Sequence, residues 1–352
     1  MSGVVGHSLY ALLAMAAAGA RGNPITPTLR RNRASYVAGA YLGCDIQTLP
    51  ASQGLRTGRE SGYAKLPAGV TELYGEPVRQ WRIEHQGERF TPGDVHRIFY
   101  GRAHLILGWA PGDIGHGVPS DHLPDYFAAV VDDAVGLFGP GERQLAYLFG
   151  WMCHVVGDAL IKSVLPGLDL NLLDGTYTPR NRPIQDLVSF HEVGRKELGV
   201  DWKALLHDVC AVPVEDVQPH YMRCAKKRGR LGELFPDAWE PGREGLLRRV
   251  MAKNRSHLKV WLQKVFRDME LTRSSSGWEC RPDLSRAAKG LRYGEMVELA
   301  EEAGFRQALW RIAERIAGVF DETRERSSFL SELKAKKGVG WDELTKRWRM
   351  KK

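Results

Sequence analysis

One stretch constrains this chain more than any other: Leu145 to Ser163, reading LAYLFGWMCHVVGDALIKS. Leu145, Leu148, Met152, Val155 and Val156 recur at helical spacing, and with their neighbours they fill well over half the circumference. That pattern predicts a helix lying deep in the interior rather than along a surface. The same rod carries His154 and Asp158, which at i and i+4 share one face. A buried carboxylate stays ionised only beside a cation, a metal or several hydrogen-bond donors. Lys162, one turn further on, is a candidate cation. The pair fits two readings, a polar pair satisfied by backbone and a water inside a helical bundle, or two metal ligands. Gly150 and Gly157 clear room for close helix approach on either reading.

A buried helix needs a protein large enough to surround it. With 352 residues, 43% of them hydrophobic, the chain can build a sizeable core and is not of the disordered class. Five cysteines, an odd number without C-x-x-C spacing, exclude a disulfide framework and a zinc ribbon and point to a reducing cytoplasm. The net charge of +8 fits an anionic partner: a lipid headgroup, a nucleotide or nucleic acid.

The N-terminus admits two readings. Ser8 to Ala20 could serve as the apolar core of a signal peptide, in which case residues 1–22 would be removed and the protein exported. Met1 to Gly6 lacks the Lys or Arg with which such a signal begins, however, and the stretch also makes a buried helix starting near Gly6 or His7. No apolar run reaches the ~20 residues needed to span a bilayer.

Beyond it, Pro24 to Arg33 reads as a basic loop, followed by a small, apolar segment from Ala34 to Leu42 that ends in Gly43-Cys44-Asp45-Ile46. Asp45 there can be held rigidly at a core edge. Residues 53–89 read as an irregular insertion with a small hairpin near Val78 to Ile83. Thr91-Pro92 starts a helix over Val95 to Trp109 that holds His96 and, among apolar neighbours, His104. Further helices are expected over Asp125 to Phe138, Ile184 to Leu198, Leu246 to Met269 and Tyr293 to Phe320, with Ser274 to Gly277 as a linker. His191-Glu192-x-x-Arg195 has Arg where a zinc-peptidase motif requires a second His, which excludes that chemistry. The whole reads as a mainly α protein: a multi-helix bundle over residues 1–200 with irregular loops, and an additional charged, helical region over 201–352. Its basic end, Lys334 to Lys352, interleaves Trp341 and Trp348.

His7, Asp45, His104, His154 and Asp158 fall in or beside four apolar segments and can meet only inside a bundle. Nitrogen and oxygen ligands of this kind suit zinc, and a bridging carboxylate is the basis of two-metal phosphoester chemistry. On these residues the first 200 positions resemble the superfamily of zinc-dependent phospholipases C and fungal single-strand nucleases. The resemblance implies an all-helical fold that hydrolyses phosphoesters at a cluster of three zinc ions. It implies that the mature N-terminal amine binds zinc, here that of Ser2 once Met1 is trimmed, with His7 following in G-V-V-G-H. It carries Asp45 across in the segment Gly39 to Ile46, His104 in R-A-H-L-I-L-G-W, and His154 with Asp158 as the bridging carboxylate. Two departures stand out. Val164 replaces a His six residues after Asp158, and Asn181-Arg182 stands where a further His pair should begin, so the third zinc site lacks its ligands.

The resulting expectation is a two-zinc phosphoester hydrolase. One ion would be held by His104, His154 and Asp158, the other by His7, Asp158 and the Ser2 amine. Asp45 would be ligand or base, and Arg182 or Lys162 would supply fixed positive charge to a phosphoryl oxygen. Two alternatives come from elsewhere in the sequence. One is a catalytically inactive helical scaffold, or a nucleic-acid-binding protein, that uses the basic Trp-containing tail to contact nucleic acid or a membrane surface. The other is an HD-type phosphohydrolase centred on His207-Asp208.

Overall fold

The structure, a computed structural model, describes residues 4–42, 72–73, 76–77, 83–85, 87–90, 123–162, 181–216, 243–275 and 277–333. It is mainly α. Helix α1 (Val4–Ala20) carries no charged residue and is buried on nearly every side, as its run of small and apolar residues requires. It stops at Gly22, whose φ of 71° only glycine adopts freely, and the Asn23 amide turns back to the Ala18 carbonyl at 2.9 Å. The segment expected as a loop contains a short helix, α2 (Thr26–Arg31). Pro27 in its first turn pre-sets helical φ where no intrahelical N–H is needed, which explains the difference. Helix α3 (Arg33–Leu42) follows almost at once.

Two small antiparallel hairpins, β1 (Glu72–Leu73) with β2 (Glu76–Pro77) and β3 (Ile83–His85) with β4 (Glu88–Phe90), lie in and just beyond the span read as an insertion. Helix α4 (Leu123–Phe138) leads through Gly139-Pro140-Gly141 into α5 (Glu142–Lys162), the central rod. Its residues 145–157 are all buried. Helices α3 and α5 pack backbone to backbone. A methyl group at Gly150 would collide with the Tyr36 carbonyl oxygen and one at Gly39 with the Tyr147 carbonyl oxygen, so each helix supplies a glycine where the other comes closest.

The helix expected over Ile184 to Leu198 changes character midway. Residues Arg182–Val188 are α-helical (α6), and Ser189–Glu197 wind as a π-helix. Gly194 accepts the Trp202 ring against its backbone, and the Trp202 indole N–H donates to the Phe190 carbonyl at 2.9 Å. Asp201 caps α7 (Trp202–Ala211) through the Ala204 amide. Helix α8 (Arg243–Asp268) runs into β5 (Thr272–Ser274) and β6 (Gly277–Glu279), so the expected linker is the turn of a hairpin. Next come α9 (Pro282–Ala287), α10 (Tyr293–Glu302) and α11 (Phe305–Arg326). The last two were expected as one helix. Gly304, at φ 64°, breaks it.

The core crosses residue 200, because α11 packs along α1 and sends Phe320 against Tyr36 of α3 and Phe149 of α5. Asp321 of α11 binds the turn after α1, accepting from Arg21 at 2.7 Å and Asn23 at 2.6 Å. Asp132 of α4 gathers the chain leaving α11: the Ser327 and Ser328 hydroxyls and the Ser328 and Phe329 amides all donate to it, at 2.6–3.2 Å. No helix of the described residues is long and apolar enough to cross a membrane.

Candidate metal centre

Three helices are tied together at Cys153, the residue before His154. The Tyr36 hydroxyl of α3 donates to the Ala11 carbonyl of α1 at 2.8 Å and accepts from the Cys153 thiol of α5 at 3.0 Å. Burial and the neighbouring sulfur push the Tyr36 phenol well above its ordinary range, and burial pushes the Cys153 thiol up to about 12. Both groups are therefore neutral structural links.

Against this frame stand the two histidines. His7 in the first turns of α1 and His154 in α5 are 4% and 5% exposed, and their rings stack with centroids 4.2 Å apart and planes 16° from parallel. Tyr10 meets the edge of His7, and its ring lies against the backbone of Gly157, where a methyl would come within 3.3 Å. Thus Gly157 admits α1 beside the turn of α5 that holds both His154 and Asp158.

His154 Nδ1 lies 2.8 Å from the Ala40 carbonyl. A carbonyl can only accept, so Nδ1 carries the proton and Nε2 presents its lone pair. Ala40 stands in the last turn of α3, where helical carbonyls lack intrahelical donors, so the contact satisfies both partners. A ring whose second nitrogen is fixed by a backbone carbonyl is the usual arrangement of a metal-ligating imidazole. His154 is held as one such ligand would be, with the His7 ring stacked on it.

Asp158 and Lys162 lie one and two turns beyond His154 on α5. Ser2, Asp45 and His104 lie outside the described residues, as does the basic tail. Among the described residues no group of three or more His, Cys, Asp or Glu is set to hold a metal. Arg182 opens α6 with its side chain half exposed and its Nε 3.4 Å from Asp186, one turn on. His207 and Asp208 are 85% and 62% exposed on α7 and make no enclosed pair, which removes the physical basis of the HD-type reading.

His191 and Glu192, excluded as a zinc-peptidase motif, belong to a second polar cluster. His191 and Glu192 on the π-helix, with Tyr293 opening α10, border a cleft of about 900 Å³ that Phe190, Trp202 and Trp278 also line. His191 Nε2 donates to the Met269 carbonyl at 2.7 Å. Burial lowers its pKa, and the nearby Arg195 cation acts in the same direction against the Met269 bond. Burial pushes Glu192 upward, but bonds from Lys196 and from the Tyr293 hydroxyl outweigh it and hold the carboxyl below its usual range. The adjacent His-Glu was the available signal. The π-helical winding that turns both inward has no sequence signature of its own. Comparison with protein-family models, with curated proteins and with solved structures finds no match for this chain.

Proposed function

We propose that this protein is a zinc-dependent phosphoester hydrolase. Its metal centre is built on His7, His154 and Asp158, completed by the Ser2 amine, Asp45 and His104. One observation carries the reading: two imidazoles 147 positions apart in sequence stack in the interior, and one has its ligand nitrogen fixed by the Ala40 carbonyl. Zinc bound there would polarise a phosphoryl oxygen and make water acidic enough to attack at neutral pH. The chain's own part is to fix the tautomer of His154, to exclude bulk water with Tyr10 and the α1–α5 contact, and to hold the bridging carboxylate at Asp158. In the same reading Lys162 and Arg182 supply positive charge toward the phosphoryl group, and the substrate is an anionic phosphoester.

The test is elemental analysis of protein purified without chelators, together with hydrolysis of bis(p-nitrophenyl) phosphate. About two zinc ions per chain are expected, as a bridging carboxylate implies. Both metal and turnover should be lost in a His154→Ala, Asp158→Ala variant whose circular dichroism is unchanged. Wild-type protein that is metal-free as purified and takes up no added zinc overturns the proposal.

A further inference from the structure

The cleft beside His191 has the size and walls of a small-molecule pocket. It measures about 900 Å³, and four aromatic rings line it: Phe190, Trp202, Trp278 and Tyr293. Three of these are tied down. Phe190 and Trp202 stack with centroids 5.3 Å apart and planes 13° from parallel, the Trp202 indole N–H donates to the Phe190 carbonyl, and the Tyr293 hydroxyl donates to Glu192. Trp278 is the exception. It stands 54% exposed on β6, the one large apolar side chain open to solvent among the described residues.

The charged lining is balanced, with Arg195, Lys196 and Lys203 against Glu192, Asp201 and Glu270. Lys196 and Glu192 cancel, because the ammonium bonds both carboxylate oxygens at 2.8 and 2.7 Å. Asp201 is turned to the Ala204 amide as a cap. Arg195 has no such partner: its guanidinium lies 6.0 Å from the centroid of the Phe190 ring and meets no carboxylate among the described residues. The π-helix puts it there. At 3.6 residues per turn, residues five apart such as Phe190 and Arg195 would lie about 140° from each other round the axis. The i to i+5 bonding of a π-helix brings them close to one line. Held by cation–π attraction and not by an acid, the guanidinium keeps its fork of donors for two parallel bonds to a carboxylate.

We propose that this cleft binds a small planar aromatic acid, with its carboxylate on the Arg195 guanidinium and its ring against Trp278. The charge balance selects a monoanion. One unpaired guanidinium matches one carboxylate, whereas Asp201 and Glu270 repel the second negative charge of a phosphate monoester. An organic cation is disfavoured, because the one buried carboxylate of the lining, Glu192, is already neutralised by Lys196. No metal enters the argument, so the proposal stands or falls apart from the hydrolase reading.

The test is equilibrium dialysis of the full-length protein against 2-naphthoate, with the neutral 2-naphthamide and the dianionic 2-naphthyl phosphate alongside. One naphthoate per chain is expected. The amide should bind about ten- to a hundredfold more weakly, the range of a hydrogen-bonded charge. Arg195→Gln should lose the same factor, and Arg195→Lys most of it, because an ammonium keeps the charge without the fork. Trp278→Ala should weaken binding about two- to tenfold. Both side chains are exposed, so the fold, checked by circular dichroism, should survive, and zinc content should not change. The proposal is overturned if the wild type takes up no naphthoate at millimolar concentration, if the amide binds as tightly, or if either the Arg195→Gln or the Trp278→Ala protein binds like the wild type. Tighter binding of the naphthyl phosphate overturns it as well and assigns the cleft to phosphoesters.

Discussion

Replacing Gly150 by alanine tests the contact on which the centre rests. In an ordinary helix interior the change stabilises by about 0.5–1 kcal/mol, because glycine loses more chain entropy on folding. Here the added methyl meets backbone instead. It would overlap the Tyr36 carbonyl oxygen and lie 2.8 Å from the Ala40 amide nitrogen, and neither can swing aside as the tip of a side chain would. Overpacking that forces the backbone to move costs about 1–3 kcal/mol, and this case belongs at the upper end. The net expectation is a loss of about 2 kcal/mol. Because α3 must retreat, the bond from His154 Nδ1 to the Ala40 carbonyl lengthens and zinc uptake should fall with it. Gly136 of α4 is the control: it is exposed, a methyl there meets nothing within 4 Å, and Gly136→Ala should gain about 0.5–1 kcal/mol. Urea unfolding followed by circular dichroism measures both. A Gly150→Ala protein as stable as the wild type would show that α3 and α5 do not approach as described.

Other predictions concern the titratable groups. Burial keeps His191 neutral in the fold, whereas the unfolded chain takes up a proton near 6.5, so stability should fall as pH drops below that value. Glu192, held below its ordinary range, adds a further loss below about pH 4.5, where only the unfolded carboxyl is protonated. Melting temperatures at pH 7, 6 and 5 should therefore decline in the wild type and flatten in His191→Gln, and parallel declines would refute the assignment. The thiols of Cys153 and Cys210 are pushed up to about 12 and about 11 by burial, so neither should react with Ellman's reagent at pH 8 until the protein is unfolded. Peptide mapping that finds either one modified in the native protein contradicts their burial.

What the sequence disclosed tracks how local the cause is. The periodicity of residues 145–163 placed α5 in the interior, and Gly150 and Gly157 marked where its neighbours close in, because steric room depends on the residue itself. The all-helical class was legible for the same reason. Pro24 to Arg33 reads as a basic loop although Pro27, placed in a first turn, initiates a helix, and Gly304 divides a run whose periodicity reads as continuous. The stacking of His7 on His154 could be suspected from residue type, yet nothing in the sequence sets two rings 147 positions apart parallel. The cleft beside His191 was not legible because it is closed by Trp278 and Tyr293, about 90 to 100 positions further along the chain.

The pairing of α1 with α11 has a consequence for synthesis. Helix α1 leaves the ribosome well before α11, is apolar on nearly every side, and takes a large part of its cover from that later helix. Until residues 305–326 emerge, an oily rod with no charge of its own must be kept from other chains, so a nascent chain halted before that point should be an avid client of a trigger-type chaperone, and one released after it should not.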